Sequence, residues 1–106
     1  PFAPPALFEA VVACVRDGAD AAIPGVAIAD TVKRVVDRRV VGTLNRDELV
    51  AVQTPQAFAA GALRRAHAGG GEATDDAALV EAAGGRVMVV PGDPANTKIT
   101  LRADLG

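Results

Sequence analysis

Serine, tryptophan and tyrosine are absent from the 106 residues, cysteine, histidine and methionine occur once each, and lysine occurs only as Lys33 and Lys98. Each scarcity removes a class of chemistry. Without serine there is no Ser-His-Asp mechanism. A single cysteine allows no internal disulfide and points to a reducing compartment. Cys14 sits in an apolar helical pattern and reads as packing. His67 has no Cys, Asp or Glu at metal-ligand spacing, so it is expected to face solvent and complement a helix end. A net charge of -2 argues against a general nucleic-acid binder. No apolar run approaches the ~20 residues of a membrane span, and no signal peptide opens the chain, so a cytoplasmic protein is expected. Aromatic residues make up 3% of the chain, whereas apolar residues make up 50%. Disorder is therefore not expected. A core of Val, Leu, Ile, Ala and three Phe is thin for this length, and completion by a partner or by further sequence is expected. The opening Pro1-Phe2-Ala3-Pro4-Pro5 lacks an initiator Met, and the chain ends on the first residues of a helical pattern. Both ends read as those of a piece of something longer.

What is present alternates between helical and extended patterns. Leu7, Phe8, Val11, Val12 and Val15 form the stripe of a core-facing helix, opened by proline and closed by Gly18. Ala21 to Val26 reads as a buried strand. Thr31 to Val36 and Val40 to Thr43 read as a hairpin turning at Asp37-Arg38-Arg39, with few large apolar residues. Such a hairpin is only marginally stable alone, so it is expected to lie on something, most simply a second copy of the chain. Leu49 to Gln53 is a further strand. Thr54 and Pro55 read as the cap and first position of a second helix, with Phe58, Ala59, Ala62, Leu63 and Ala66 on its apolar face. Thr74 reads as the cap of a third helix, with Asp75 and Asp76 in its first turn and Leu79, Val80, Ala82 and Ala83 packed. Arg86 to Val90 is a strand, Pro91-Gly92-Asp93-Pro94 a turn, and Lys98-Ile99-Thr100 a short extended piece. This order predicts an α/β sheet with parallel strands.

Five places carry groups suited to a phosphate, each with a plainer reading beside it. Thr31, in Asp30-Thr31-Val32-Lys33, offers a hydroxyl at the hairpin root or simply ends a strand. Arg46, in Asn45-Arg46-Asp47, can bind phosphate in a bidentate fashion or is one surface arginine among nine. Thr54 marks a helix start that attracts an anion or is an ordinary cap. Thr74-Asp75-Asp76 marks another, and its paired carboxylates lack a third ligand for a metal. Lys98, in Asn96-Thr97-Lys98-Ile99-Thr100, is a point charge for a phosphate or a solvated lysine.

Taken together and in this order, the five resemble the methylerythritol phosphate cytidylyltransferase family. The similarity runs along nearly the whole chain. Gln53-Thr54-Pro55-Gln56-Ala57-Phe58 and Thr74-Asp75-Asp76-Ala77 with Leu79-Val80-Glu81 are its specific parts. The resemblance implies a Rossmann-like nucleotidyltransferase fold of class α/β, of which residues 1–106 are the C-terminal half of a single domain. It implies that residues 27–46 form a β-arm embracing the other subunit of a homodimer. It places Thr31, Arg46, Thr54, Thr74 and Lys98 around the methylerythritol phosphate, with Thr31 and Arg46 contributed by the opposite subunit. Lys98 would also lie close to the α-phosphate of CTP, and Arg46 and Lys98 would supply the catalytic charge. The family's Gly-rich CTP-binding loop and the Asp that binds Mg²⁺ belong to an N-terminal half preceding Pro1. The chain alone is accordingly expected to bind CTP poorly and not to turn over. Two rivals stand beside this reading: a ribitol-5-phosphate cytidylyltransferase, and a non-catalytic dimerisation module that lacks the nucleotide-binding half.

Overall fold

A computed structural model describes residues 5–68 and 75–95. Pro5 has no N–H to leave unsatisfied and opens helix α1 (Pro5–Arg16), which buries Leu7 and Val11 one turn apart. Beyond α1 the chain turns at Gly18, whose φ of 118 favours glycine. It enters β1 (Ala21–Ala27), which is buried over its first five residues. The hairpin is formed by β2 (Lys33–Val36) and β3 (Arg39–Thr43). A 3₁₀ turn (Arg46–Glu48) leads to β4 (Val50–Val52), β5 (Ala57–Phe58) and helix α2 (Ala60–Ala68). Helix α3 (Asp76–Ala82) and strand β6 (Val87–Pro91) follow.

β1 is the middle of a four-stranded sheet. Ala21 is opposite both Phe58 and Val87, and Gly25 is opposite both Val52 and Pro91. A strand residue has only two edges, so β6 lies on one edge of β1 while β4 and β5 share the other. β6 runs parallel to β1, and β4 and β5 run antiparallel to it. The sheet is therefore mixed rather than parallel throughout, because the hairpin returns the chain alongside β1 in the opposite direction. Ala21 and Ala22 are fully buried, and as neighbours on a strand they point to opposite faces. Ala22 packs with Leu7, Val11 and Val90 under α1. Cys14 packs at the edge of this cluster, as the sequence led one to expect. Ala21 packs with Ala62, Ala66 and Val80 under α2 and α3. The layers are helix, sheet, helix pair.

Three local readings are corrected. First, Thr54 does not start a helix. Residues Gln53 to Gln56 bulge out between β4 and β5, the Thr54–Pro55 peptide is cis, and α2 starts at Ala60. Ala57 and Phe58 are held extended by pairing with Ala22 and Ala21, so tertiary pairing overrides the Thr-Pro helix signal. Second, Asp75 rather than Thr74 caps α3, with an extended backbone and a carboxylate accepting from Ala78 N at 2.6 Å. Thr74 lies outside the described residues. Third, Ala77 and Val80 are buried on α3, whereas Ala82 and Ala83 are exposed. Replacing Asp75 with alanine is expected to cost about 1 kcal/mol, read as a lower urea midpoint with an unchanged slope.

Pro24 is fully buried within β1, where a proline is normally excluded. Its carbonyl accepts from Gln53 N at 2.9 Å. The N and C=O of one strand residue point to the same edge, so the donor that Pro24 lacks faces the bulge, where no ladder partner is needed.

The hairpin forms where expected. Asp37 and Arg38 both have positive φ, 50 and 68, which gives a two-residue turn whose twist suits the flanking strands. The register shifts between Arg34 and Val35, so Arg34 is opposite Gly42 and Val35 opposite Val40, leaving Val41 as the extra residue. Lys33 Nζ donates to Thr43 Oγ1 at 2.7 Å near the open end. Among the described residues, neither strand packs against a helix or the larger sheet beyond glancing contact.

Candidate functional site

The sequence-expected residues that the structure describes, Thr31, Arg46 and Thr54, fall in two places. The first lies at the hairpin root. Leu44 N donates to Val32 O at 3.0 Å and closes the base. Arg46 opens the 3₁₀ turn, which Asn45 caps by accepting from Asp47 N at 3.1 Å. The Arg46 guanidinium donates through Nη1 to the Ala29 carbonyl. That bond brings Arg46 beside the Asp30-Thr31 segment entering the hairpin. Thr31 and Arg46 are both exposed. One guanidinium N–H is engaged by Ala29, so the rest of its fork is free in principle to meet an anion.

The second cluster lies at the carboxyl ends of the parallel pair β1 and β6, the edge of an α/β sheet where ligands characteristically bind. Gly92 N donates to Gly25 O at 2.9 Å and continues the β1–β6 pairing into the loop. Gln53, at the end of β4, reaches across β1 to this loop. Its Nε2 donates to Asp93 O at 2.6 Å and its Oε1 accepts from Asp93 N at 2.9 Å. Thr54 follows directly and is exposed. Ala29 stands four positions after Gly25, at most about 13 Å of extended chain, between the two clusters. Thr74 and Lys98 lie outside the described residues.

Sequence reasoning singled out Thr54 and passed over Gln53. The available signal was a long amide ending the otherwise apolar run Val50-Ala51-Val52, where a buried polar group requires a partner. It also missed a partner for His67. Nε2 of His67, on the last turn of α2, lies 3.2 Å from Asp76 Oδ1 on the first turn of α3. The imidazole is exposed, as expected, and bridges the end of α2 to the start of α3. Among the described residues no three His, Cys, Asp or Glu side chains could hold a metal ion. No helix among them is long and apolar enough to cross a membrane.

The whole chain, residues 1–106, matches the family described as IspD: 2-C-methyl-D-erythritol 4-phosphate cytidylyltransferase. A protein of that name from Rubrobacter xylanophilus is 50% identical over 105 residues, covering 95% of this chain and 46% of the relative. One from Rhodococcus opacus is 53% identical over 104 residues, covering 96% and 46%. The crystal structure of the Thermus thermophilus protein of the same name superposes with a TM-score of 0.75 at 35% identity, over 89% of this chain and 48% of that one. The chain thus spans about half the length of the curated relatives it matches. The mixed α/β sheet and the match along all 106 residues agree: the chain belongs to the 2-C-methyl-D-erythritol 4-phosphate cytidylyltransferase family.

Proposed function

We propose that this chain is the substrate-binding half of an enzyme that transfers the cytidylyl group of CTP to 2-C-methyl-D-erythritol 4-phosphate. A phosphate oxygen of the sugar attacks the α-phosphorus of CTP. The bond from that phosphorus to the β-phosphate oxygen breaks, and pyrophosphate leaves. The observation that carries this reading is the family match over the full 106 residues. The same match favours methylerythritol phosphate over ribitol phosphate as the acceptor.

The reaction needs two anions held in line and their charge neutralised, with no covalent intermediate on the protein. A chain without serine can therefore serve. Thr31, Arg46, Thr54, Thr74 and Lys98 are the proposed phosphate contacts. Arg46 and Lys98 carry the charge that offsets the negative charge accumulating at the α-phosphorus. Bound Mg²⁺ would neutralise the triphosphate, and its ligand is assigned to sequence preceding Pro1, not to a described residue here. The exposed hairpin valines Val35 and Val40 support a homodimer, and in this reading Thr31 and Arg46 serve the partner subunit's site. A cytoplasmic location is part of the same reading, in keeping with the single cysteine.

The test is pyrophosphate release by the protein of the full reading frame, supplied with CTP and either sugar phosphate. Turnover is expected with methylerythritol phosphate and not with ribitol 5-phosphate, and not from residues 1–106 alone. Turnover with ribitol phosphate only, or with neither, would replace this reading by one of its two rivals.

A further inference from the structure

Gln53 is the one buried polar side chain among the described residues, at 8% exposure. Both ends of its carboxamide bond the backbone of one residue forty positions away, Asp93. The match is specific to glutamine. Asparagine is shorter by one methylene. Ionised glutamate accepts from the Asp93 N–H but cannot donate to its carbonyl, and methionine does neither. The loop has made room for the contact: a Cβ on Gly92 would sit 2.5 Å from Gln53 Oε1. Asp93 passes the order on, its own Oδ1 accepting from Ala95 N at 3.0 Å.

A buried amide can serve stability alone. The position of this one argues for more. It joins the two chain segments that border the carboxyl ends of β1 and β6, the bulge carrying Thr54 and the loop leaving β6. We propose that Gln53 is a positioning residue for the transfer reaction: by clamping both backbone groups of Asp93 it sets the loop after β6 against Thr54. Groups on the two segments then meet the reacting phosphates in one geometry. The proposal rests on the function proposed above.

The experiment uses the protein of the full reading frame with Gln53→Met and Gln53→Glu, CTP and methylerythritol phosphate. Two quantities are measured: steady-state turnover per folded molecule, and hydrogen exchange at the Asp93 amide. In Gln53→Met, kcat is expected to fall about 10- to 100-fold while KM changes less, as for an interaction realised in the transition state. Gln53→Glu retains the bond from the Asp93 N–H and is expected to lie between the two. Asp93 amide exchange should quicken at least about tenfold in Gln53→Met, in proportion to the lost protection. A Gln53→Met protein that melts lower but turns over at the wild-type kcat overturns the proposal and leaves a purely structural amide. If Gln53→Met does not fold, Gln53→Glu, which retains the bond from the Asp93 N–H, carries the test and must show a loss of kcat for the proposal to stand. A wild-type protein that releases no pyrophosphate overturns the functional reading and the catalytic part of this one. Asp93 exchange then decides the clamp alone, and unchanged exchange in Gln53→Met overturns it.

Discussion

Replacing Arg46 with alanine in the full-length protein is expected to lower kcat/KM for methylerythritol phosphate by about 100- to 1000-fold, the usual effect of removing one preorganised charged donor from a transition state. Arg46 is exposed and, among the described residues, its side chain bonds only the Ala29 carbonyl, so the folded state should lose little, within about 0.5 kcal/mol. A large kinetic effect with a small stability effect separates a substrate contact from a strut. Arg46→Lys keeps the charge but loses the planar fork that can hold Ala29 and a phosphate together, so it should recover only part of the rate. Varying methylerythritol phosphate at saturating CTP measures both variants. If Arg46→Ala stays within about threefold of wild type, the guanidinium only ties the hairpin root to Ala29, and the phosphate contact must be sought elsewhere.

Much of this architecture is legible in the sequence because its signals are local. The stripe from Leu7 to Val15 produces α1, the apolar run from Ala21 produces β1, and the hairpin turns within one residue of the expected place. The misreadings at Thr54 and in the sheet share one cause: long-range pairing outweighed a local preference. Thr54-Pro55 carries the signature of a helix start, yet pairing of Ala57 and Phe58 with β1 holds the following residues extended, and helix waits until Ala60. At α3 two adjacent residues could each cap the helix, and local pattern cannot rank Thr74 against Asp75. The sheet was expected to be parallel because strands alternate with helices. The direction of β4 follows instead from the hairpin inserted between it and β1. The site was less legible than the fold. Thr31 and Arg46 were named separately, but nothing local reveals that Arg46 closes on Ala29, seventeen residues back. Gln53 and Asp93 are forty positions apart, and His67 meets Asp76 only because α2 and α3 pack together.

The hairpin is where the second large effect is expected. Val35 and Val40 are paired across it, so their side chains share one face, and each is 57% exposed. Two bare valines on a ribbon that, among the described residues, makes no more than glancing contact with another element are a poor arrangement for a monomer. In the proposed homodimer they are the natural contact. Substituting both with aspartate removes apolar burial at four places, because each position occurs twice in a symmetric dimer. At ~1.5 kcal/mol for each valine, the dimer loses about 6 kcal/mol, or roughly four decades in dissociation constant. Sedimentation velocity on the full-length protein at micromolar concentration should show a dimer, and the Val35→Asp, Val40→Asp variant a monomer. Turnover should fall with the dimer fraction, since on the proposed reading Thr31 and Arg46 reach the site from the opposite subunit. Raising the variant's concentration should restore neither within a practical range. A variant that stays dimeric at full activity would show that the hairpin face is not the contact. A variant that becomes monomeric yet keeps full turnover would show that Thr31 and Arg46 serve their own subunit, and that the gap between the two clusters is closed within one chain.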